Sequence, residues 1–339
     1  MKDYSNILII KMSSLGDVIH ALPTLYALRQ NLPHAKITWA IHEQFASLLP
    51  GTPWVDEVII IDKKQLKSPS YLWNLRKELH SRHFDMTLDL QCIAKSAIVS
   101  LLSGSPEKYG YWELREGSQL VNKALVGAHK YDHVIERYLD TVRALGGEVD
   151  GVEFPMPHDH AAEGKIRNRL SELGVTDDYV VVVPGARWIV KEWPLLNFGE
   201  LCIRLCESGK KVVIAGSPDD SEKGQFIENY VKSDNLINLV GQTTMAELIE
   251  LIRHCHIFIS ADTGPLHIAN ALKKPLIALF GTTSPHRTGP YGGSHVHLII
   301  SPTSKATPEQ PLVDDPYCMA QIPVDAVWDV YSEMLRKDL

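Results

Sequence analysis

Cysteine is scarce in this chain: five in 339 residues, Cys92, Cys202, Cys206, Cys255 and Cys318, with no CxxC spacing among them. That argues against a disulfide framework or a thiolate metal site. Cys202 and Cys206, four apart on an expected helix, read as buried thiols. A basic excess is also missing. Residues 1–160 carry 17 Lys+Arg against 19 Asp+Glu, and the remainder 17 against 22, so no nucleic-acid partner is expected. No apolar run approaches the length of a membrane span. The opening MKDYSNILIIK has an acid at position 3 and meets a lysine after a short apolar run, so it lacks a secretory core and a cytoplasmic location is expected. Neither GxGxxG nor GxxxxGKS/T occurs, so the dinucleotide and P-loop fingerprints are both missing.

What is present is a rhythm. Short β-rich runs (NILII, KITWAI, EVIII, DMTLDL) alternate with helical patterns such as YLWNLRKEL and AKSAIVSLL, and the strands are apolar throughout instead of at every second residue. Strands of that kind belong to a parallel sheet covered on both faces. The rhythm breaks at GVEFPMPHDH, residues 151–160, with two prolines and no period, which reads as a linker. It then restarts through YVVVV, KVVIAG, HIFISA and PLIALF. An α/β protein of two Rossmann-like domains is expected, residues 1–155 and 156–322, with parallel sheets facing a central cleft. A last amphipathic helix within 323–339 is expected to pack back on the first domain. Pro23 is expected to bend or restart the first helix.

Three loops of the second domain could hold an anion or a sugar. In SADTGPLHIANAL a strand ends near Ser260, Asp262-Thr263-Gly264 turns the chain, and Pro265 suits the start of a helix whose free N–H groups and dipole attract anions. His267 falls in that first turn. Taken alone, the reading of DTG as a plain helix cap is the stronger one. PGARWIVKEWP adds two cations, Arg187 and Lys191, which with the DTG terminus would grip a diphosphate from two sides; Trp193 reads as a core anchor. AGSPDDSEKG carries Asp219 and Asp220, suited to sugar hydroxyls, although a capped exposed turn fits the local sequence equally well.

The blocks KMSSLGDVIHALPTL, DLQCIAKSA, DHVIERY, PGARWIVKEWP and SADTGPLHIANAL followed by LFGTTSP together resemble glycosyltransferase family 9, the ADP-heptose:lipopolysaccharide heptosyltransferases. The resemblance runs from about residue 6 to 335 and implies a GT-B fold. It implies an inverting transfer of heptose from ADP-heptose to the lipopolysaccharide inner core, with Asp17 as general base and Lys191 stabilising the leaving diphosphate. Ser14, Gly16, Arg187, Asp220, Thr243, Asp262, Thr263, Gly264 and His267 would hold the donor. Lys63, Lys64, Lys67 and Arg115 match basic positions that hold acceptor, a Kdo-bearing lipid A or its heptosylated form. Lys63 and Lys67 would share one face if their stretch were helical. A solvated lysine loop is the default reading of so short a run.

No metal or other cofactor is implied, and the enzyme is expected to act as a monomer in peripheral contact with the cytoplasmic face of the inner membrane. The MSSLGDV block lies closest to the family's first heptosyltransferase type, with second- and third-type transfer as alternatives. A nucleotide-sugar epimerase or hydrolase, or a non-catalytic ADP-sugar-binding protein, would be built on the same fold. Relatives carry several cysteines in the stretch matching SPTSKATPEQPLVDDPYC, where this chain keeps only Cys318, so no metal site is expected in that loop. The plain N-cap remains the competing reading of Asp17. His20, one turn on, would orient it or line the cleft.

Overall fold

The computed structural model describes residues 1–176 and 178–337, which divide into two units, Met1–Pro157 and His158–Leu339. The division falls inside the expected linker. The first unit runs β1 (Asn6–Ile10), α1 (Leu15–Asn31), β2 (Lys36–Ile41), β3 (Glu57–Ile60), α2 (Pro69–His80), β4 (Met86–Asp89), α3 (Ala94–Leu102), β5 (Glu107–Tyr111), β6 (Lys123–Leu125) and α4 (Val134–Ala144). Its six strands form one parallel sheet in the order β3-β2-β1-β4-β5-β6. Ile7 pairs with Ile37 on one side and Met86 on the other, so β1 is central and buried on both faces. Its unbroken apolar run follows from that position, and burying each such side chain contributes roughly 1.5–3 kcal/mol.

The second unit comprises α5 (His160–Glu172), β7 (Tyr179–Val183), α6 (Leu195–Glu207), β8 (Lys211–Ile214), α7 (Ser221–Val231), β9 (Leu236–Asn238), α8 (Met245–His254), β10 (Ile257–Ala261), α9 (Gly264–Ala271), β11 (Leu276–Phe280), α10 (Pro285–Thr288), β12 (Val296–Ile300) and α11 (Val324–Lys337). Its parallel sheet has the order β12-β11-β10-β7-β8-β9. Both sheets therefore have the same plan. Three strands are laid outward in one direction, and the chain then returns to the other side of the first, leaving a switch point between β1 and β4 and another between β7 and β10. Loops diverge at such a point, and that is where open α/β sheets receive ligands.

One expectation needs correction. The final helix, expected against the first domain, is part of the second unit's core: Val324, Val327, Tyr331 and Met334 bury their face with α6 and the β11–β12 edge. Trp193 anchors the same core, its indole N–H donating to the carbonyl of Ile322 at 3.0 Å, just before that helix begins. Of the two outcomes expected at Pro23, a restart does not occur, since α1 runs through it as one helix; residues around it, Ile19, Leu22 and Leu25, are fully buried, and this packing outweighs the hydrogen bond that proline omits. The Lys63–Lys67 stretch is not an α-helix, since only Gln65–Lys67 makes a 3-10 turn.

All five cysteines are unpaired and buried, Cys202 and Cys206 as expected from their spacing, and burial pushes the thiols of Cys92, Cys202, Cys206 and Cys255 up. Among the described residues no helix is long and apolar enough to cross a membrane.

Candidate active site

At the first switch point the turn after β1 is tied to the turn after β4. Gln91 Oε1 accepts from the amides of Met12 (3.0 Å) and Ser13 (3.2 Å), while buried Lys11 donates to the carbonyl of Leu90 (3.0 Å) and to the Tyr138 hydroxyl (2.8 Å). These bonds fix the strand exit, and hence the start of α1. Ser14 caps α1, and both its amide and its hydroxyl donate to Asp17 Oδ2, at 3.1 and 2.6 Å. Asp17 is thus a capping residue, and its other oxygen lies 3.9 Å from Lys11 Nζ. Its side chain is nevertheless 43% exposed, so a carboxylate held from behind reaches solvent at the sheet's carboxyl edge. Gly16 lies in the same first turn, and His20, one turn on, is buried with its ring edge-on to His133 at 5.6 Å.

Beneath this edge Asp89, fully buried at the end of β4, accepts from the amides of Gln91 and Cys92 (both 2.9 Å), from Ser96 Oγ and from Asn122 Nδ2 (both 2.8 Å). Burial pushes its carboxyl up to about 6 against the pull of those donors and of Lys11. The network holds the Gln91 corner in place. Asp89 and Gln91 lie in the DLQCIAKSA block, yet nothing local to the sequence marks them or Lys11 for this role. A lone Lys or Gln in a loop carries no local signal, and their partners are roughly 80 residues away or more.

The acceptor candidates flank Asp17 on the same edge of the sheet. Lys63, Lys64 and Lys67 are exposed in the loop after β3, the edge strand two places from β1. Arg115 is exposed in the loop after β5, its amide donating to Cys92 O at 3.0 Å and Ser118 Oγ at 3.1 Å, which sets it next to the Gln91 corner. A patch the sequence did not announce adjoins it. Lys130 Nζ stands 4.6 Å from the centre of the Trp112 ring, the Arg137 guanidinium lies 5.9 Å from that ring, and Tyr131 is largely exposed.

At the second switch point the loops after β7 and β10 are joined by one ion pair. Lys191, in the 3-10 turn Ile189–Lys191, donates to Asp262 Oδ2 at 2.7 Å. Thr283 Oγ1 donates to the same oxygen at 2.7 Å, and His267 Nε2 lies 3.9 Å from Oδ1. Asp262 is only 7% exposed and Lys191 20%, so the pair is sheltered while the ammonium still reaches the surface. Thr263 caps α9, with Gly264 opening it and Pro265 next, so free backbone N–H groups begin beside the ion pair. The structure brings Lys191, Asp262, Thr263, Gly264 and His267 together and adds Thr283, whose signal was the LFGTTSP block.

Arg187 is exposed in the same loop as Lys191. Asp220 is held as a cap: Ser217 donates through its amide (3.2 Å) and hydroxyl (2.6 Å), and Lys223 at 2.9 Å. It also packs on Gly185, where an added Cβ would come 2.1 Å from its Oδ1 and displace the carboxylate. Gly241 abuts Pro218 in the same way, setting half-buried Thr243 just beyond the joined loops after β7, β8 and β9.

Known proteins resemble this chain in sequence and in fold. The profile of glycosyltransferase family 9 (heptosyltransferase) matches residues 72–314. The chain is 28% identical to lipopolysaccharide heptosyltransferase 1 of Pseudomonas aeruginosa, over 86% of this chain and 83% of that protein. It is 27% identical to lipopolysaccharide heptosyltransferase 3 of Escherichia coli, over 95% and 96%. Its fold matches that of the ADP-heptose lipopolysaccharide heptosyltransferase II of Escherichia coli with a TM-score of 0.79 at 24% identity, covering 98% of this chain and all of that one. With the family profile spanning most of its length, the chain belongs to glycosyltransferase family 9, the heptosyltransferase family.

Proposed function

We propose that this glycosyltransferase moves heptose from ADP-heptose to the inner core of lipopolysaccharide, with inversion at the anomeric carbon and Asp17 as the base. The observation that carries the reading is the posture of Asp17, anchored through one oxygen by Ser14 and reaching solvent at the switch point of its sheet. Such a carboxylate meets solvent where an acceptor hydroxyl can approach it and has little freedom to turn away. As the hydroxyl oxygen bonds to the anomeric carbon from one face, its proton passes to Asp17. The bond to the diphosphate breaks on the other face, and ADP leaves with the electron pair. Charge builds on the diphosphate, where Lys191 and the N–H groups of Thr263 and Gly264 meet it. Asp262 keeps the Lys191 ammonium in place, and with His267 it offers hydrogen-bonding groups to the nucleotide sugar.

Incubation with ADP-heptose and a panel of truncated cores tests the reading. ADP release is expected only when Kdo-lipid A or heptosyl-Kdo-lipid A is present, and the accepted core tells first-type transfer from later steps. Turnover of ADP-heptose with no acceptor would replace transfer by hydrolysis or epimerisation.

The acceptor carries phosphates and carboxylates on a membrane-anchored lipid, whereas the protein's net charge is −7. Attraction must then come from a local patch, and the exposed lysines after β3 and Arg115 after β5 supply one beside Asp17. The triple variant Lys63→Ala/Lys64→Ala/Lys67→Ala and the single Arg115→Ala are each expected to raise the acceptor KM several-fold with ADP affinity unchanged. The triple variant should also flatten the salt dependence of kcat/KM. If KM and salt slope both stay put, those lysines are solvated loop residues, and the Lys130–Trp112 patch becomes the place to look.

A further inference from the structure

Outside the residues assigned above, histidine and carboxylate side chains converge once more, where the linker enters the second unit. Asp159 caps α5, accepting from the amides of Ala161 (2.9 Å) and Ala162 (3.0 Å). His158 therefore stands just before the cap, and His160 and Glu163 stand three apart on one face of the first turns. His158 Nε2 lies 3.0 Å from Glu163 Oε2, and His160 Nδ1 lies 3.5 Å from the same oxygen. The two imidazole rings are 4.2 Å apart, and one ligand atom from each of the three residues falls within 4.8 Å of the others.

We propose that His158, His160 and Glu163 bind one divalent transition-metal ion of the zinc class. Two imidazole nitrogens and a carboxylate oxygen are the donor types such an ion takes, with water free to fill the remaining position. Ligand atoms about 2.0–2.1 Å from a tetrahedral ion stand about 3.3 Å from each other, and the two distances to Glu163 bracket that spacing. Without an ion the cluster is held by imidazole N–H groups facing Glu163, His158 Nε2 at 3.0 Å; one dication would take the place of those protons and use a lone pair from each of the three residues with both imidazoles neutral.

The surroundings orient the donors. His254 Nε2, from α8, lies 3.0 Å from the other oxygen of Glu163. Buried Glu250 accepts from the Asp159 amide at 3.1 Å and lies 3.7 Å from His158 Nε2, so α8 steadies both the capping turn and the carboxylate. Metal ligands held by a second ring of partners in this way bind more tightly than free ones. The ion would fasten His158, just ahead of the cap, to α5 and takes no part in the transfer chemistry.

Titration calorimetry of the full chain with zinc ion tests the site, with magnesium ion as the hard-cation control. One saturable zinc equivalent is expected, and none for magnesium. His158→Ala and His160→Ala should each weaken zinc binding at least about tenfold, and the double variant should abolish it. His158 and His160 are exposed, so these variants should fold normally, which unchanged melting in a chelator would verify. The chain has 15 histidines, so adventitious binding elsewhere is the competing outcome. A double-variant isotherm that superimposes on the wild type, or no saturable zinc binding at all, would overturn the proposal.

Discussion

Asp17→Asn is expected to lower kcat by about 10²–10⁴, the usual share of general-base catalysis, with folding stability and ADP affinity nearly unchanged. The structure makes this substitution a clean test, because Asp17 has two jobs that asparagine separates. Its capping job consists of accepting from the Ser14 amide and hydroxyl. An asparagine carbonyl oxygen can accept the same bonds at this position, the third of the helix, where a neutral amide side chain can also complete a capping box. Lys11 loses a neighbour 3.9 Å away but keeps Leu90 O and the Tyr138 hydroxyl. Only the ability to take a proton goes. Thermal melting, ADP calorimetry and single-turnover kinetics should therefore show a stable, ADP-binding protein that cannot transfer. Near-wild-type turnover in that folded variant would leave Asp17 as a cap and nothing more.

Lys191→Ala should reduce kcat/KM by about 10²–10³, the range for removing one preorganised group from a developing oxyanion. It carries a second cost. Asp262, almost fully buried, would keep the Thr283 hydroxyl but lose its cation, which destabilises folding by roughly 1–3 kcal/mol. The pair Lys191→Ala/Asp262→Asn separates the two effects: neutralising the stranded carboxylate should restore melting while transfer stays slow. ADP affinity then reports when the ammonium acts. A weaker ADP complex marks a contact already present in the ground state, and an unchanged one with a lower kcat marks a contact made in the transition state. If the single variant loses stability but keeps both kcat and ADP affinity, Lys191 is only the structural partner of Asp262.

Strands buried on both faces were the most readable part of the chain. NILII, KITWAI, YVVVV and PLIALF are apolar throughout because parallel central strands meet helices on each side. The strands that escaped notice are β5, β6, β9 and β12. β5 reads EKYGY, a mixed composition that suits a partly exposed position toward the sheet edge, where one face no longer demands an apolar side chain. The last helix misled for a related reason. Its amphipathic pattern states that one face must be buried, but periodicity does not say against what, and that choice fell to the surface formed by α6 and the β11–β12 edge.

The same boundary runs through the site. Local sequence by itself determined that loops bearing Ser14, Asp17, Lys191 and Asp262 follow strand ends and open helices, because caps, glycine turns and proline at a first turn act over a few residues. Tertiary structure alone decided which loops meet. Lys191 and Asp262 are 71 residues apart, and Lys11 and Leu90 are 79 apart. They are brought together because each sheet returns across its first strand, placing the loops after β1 and β4, and after β7 and β10, side by side. Strand order is set by the packing of whole helices and strands, so no short motif encodes it, and with it came Gln91, Lys11 and Thr283.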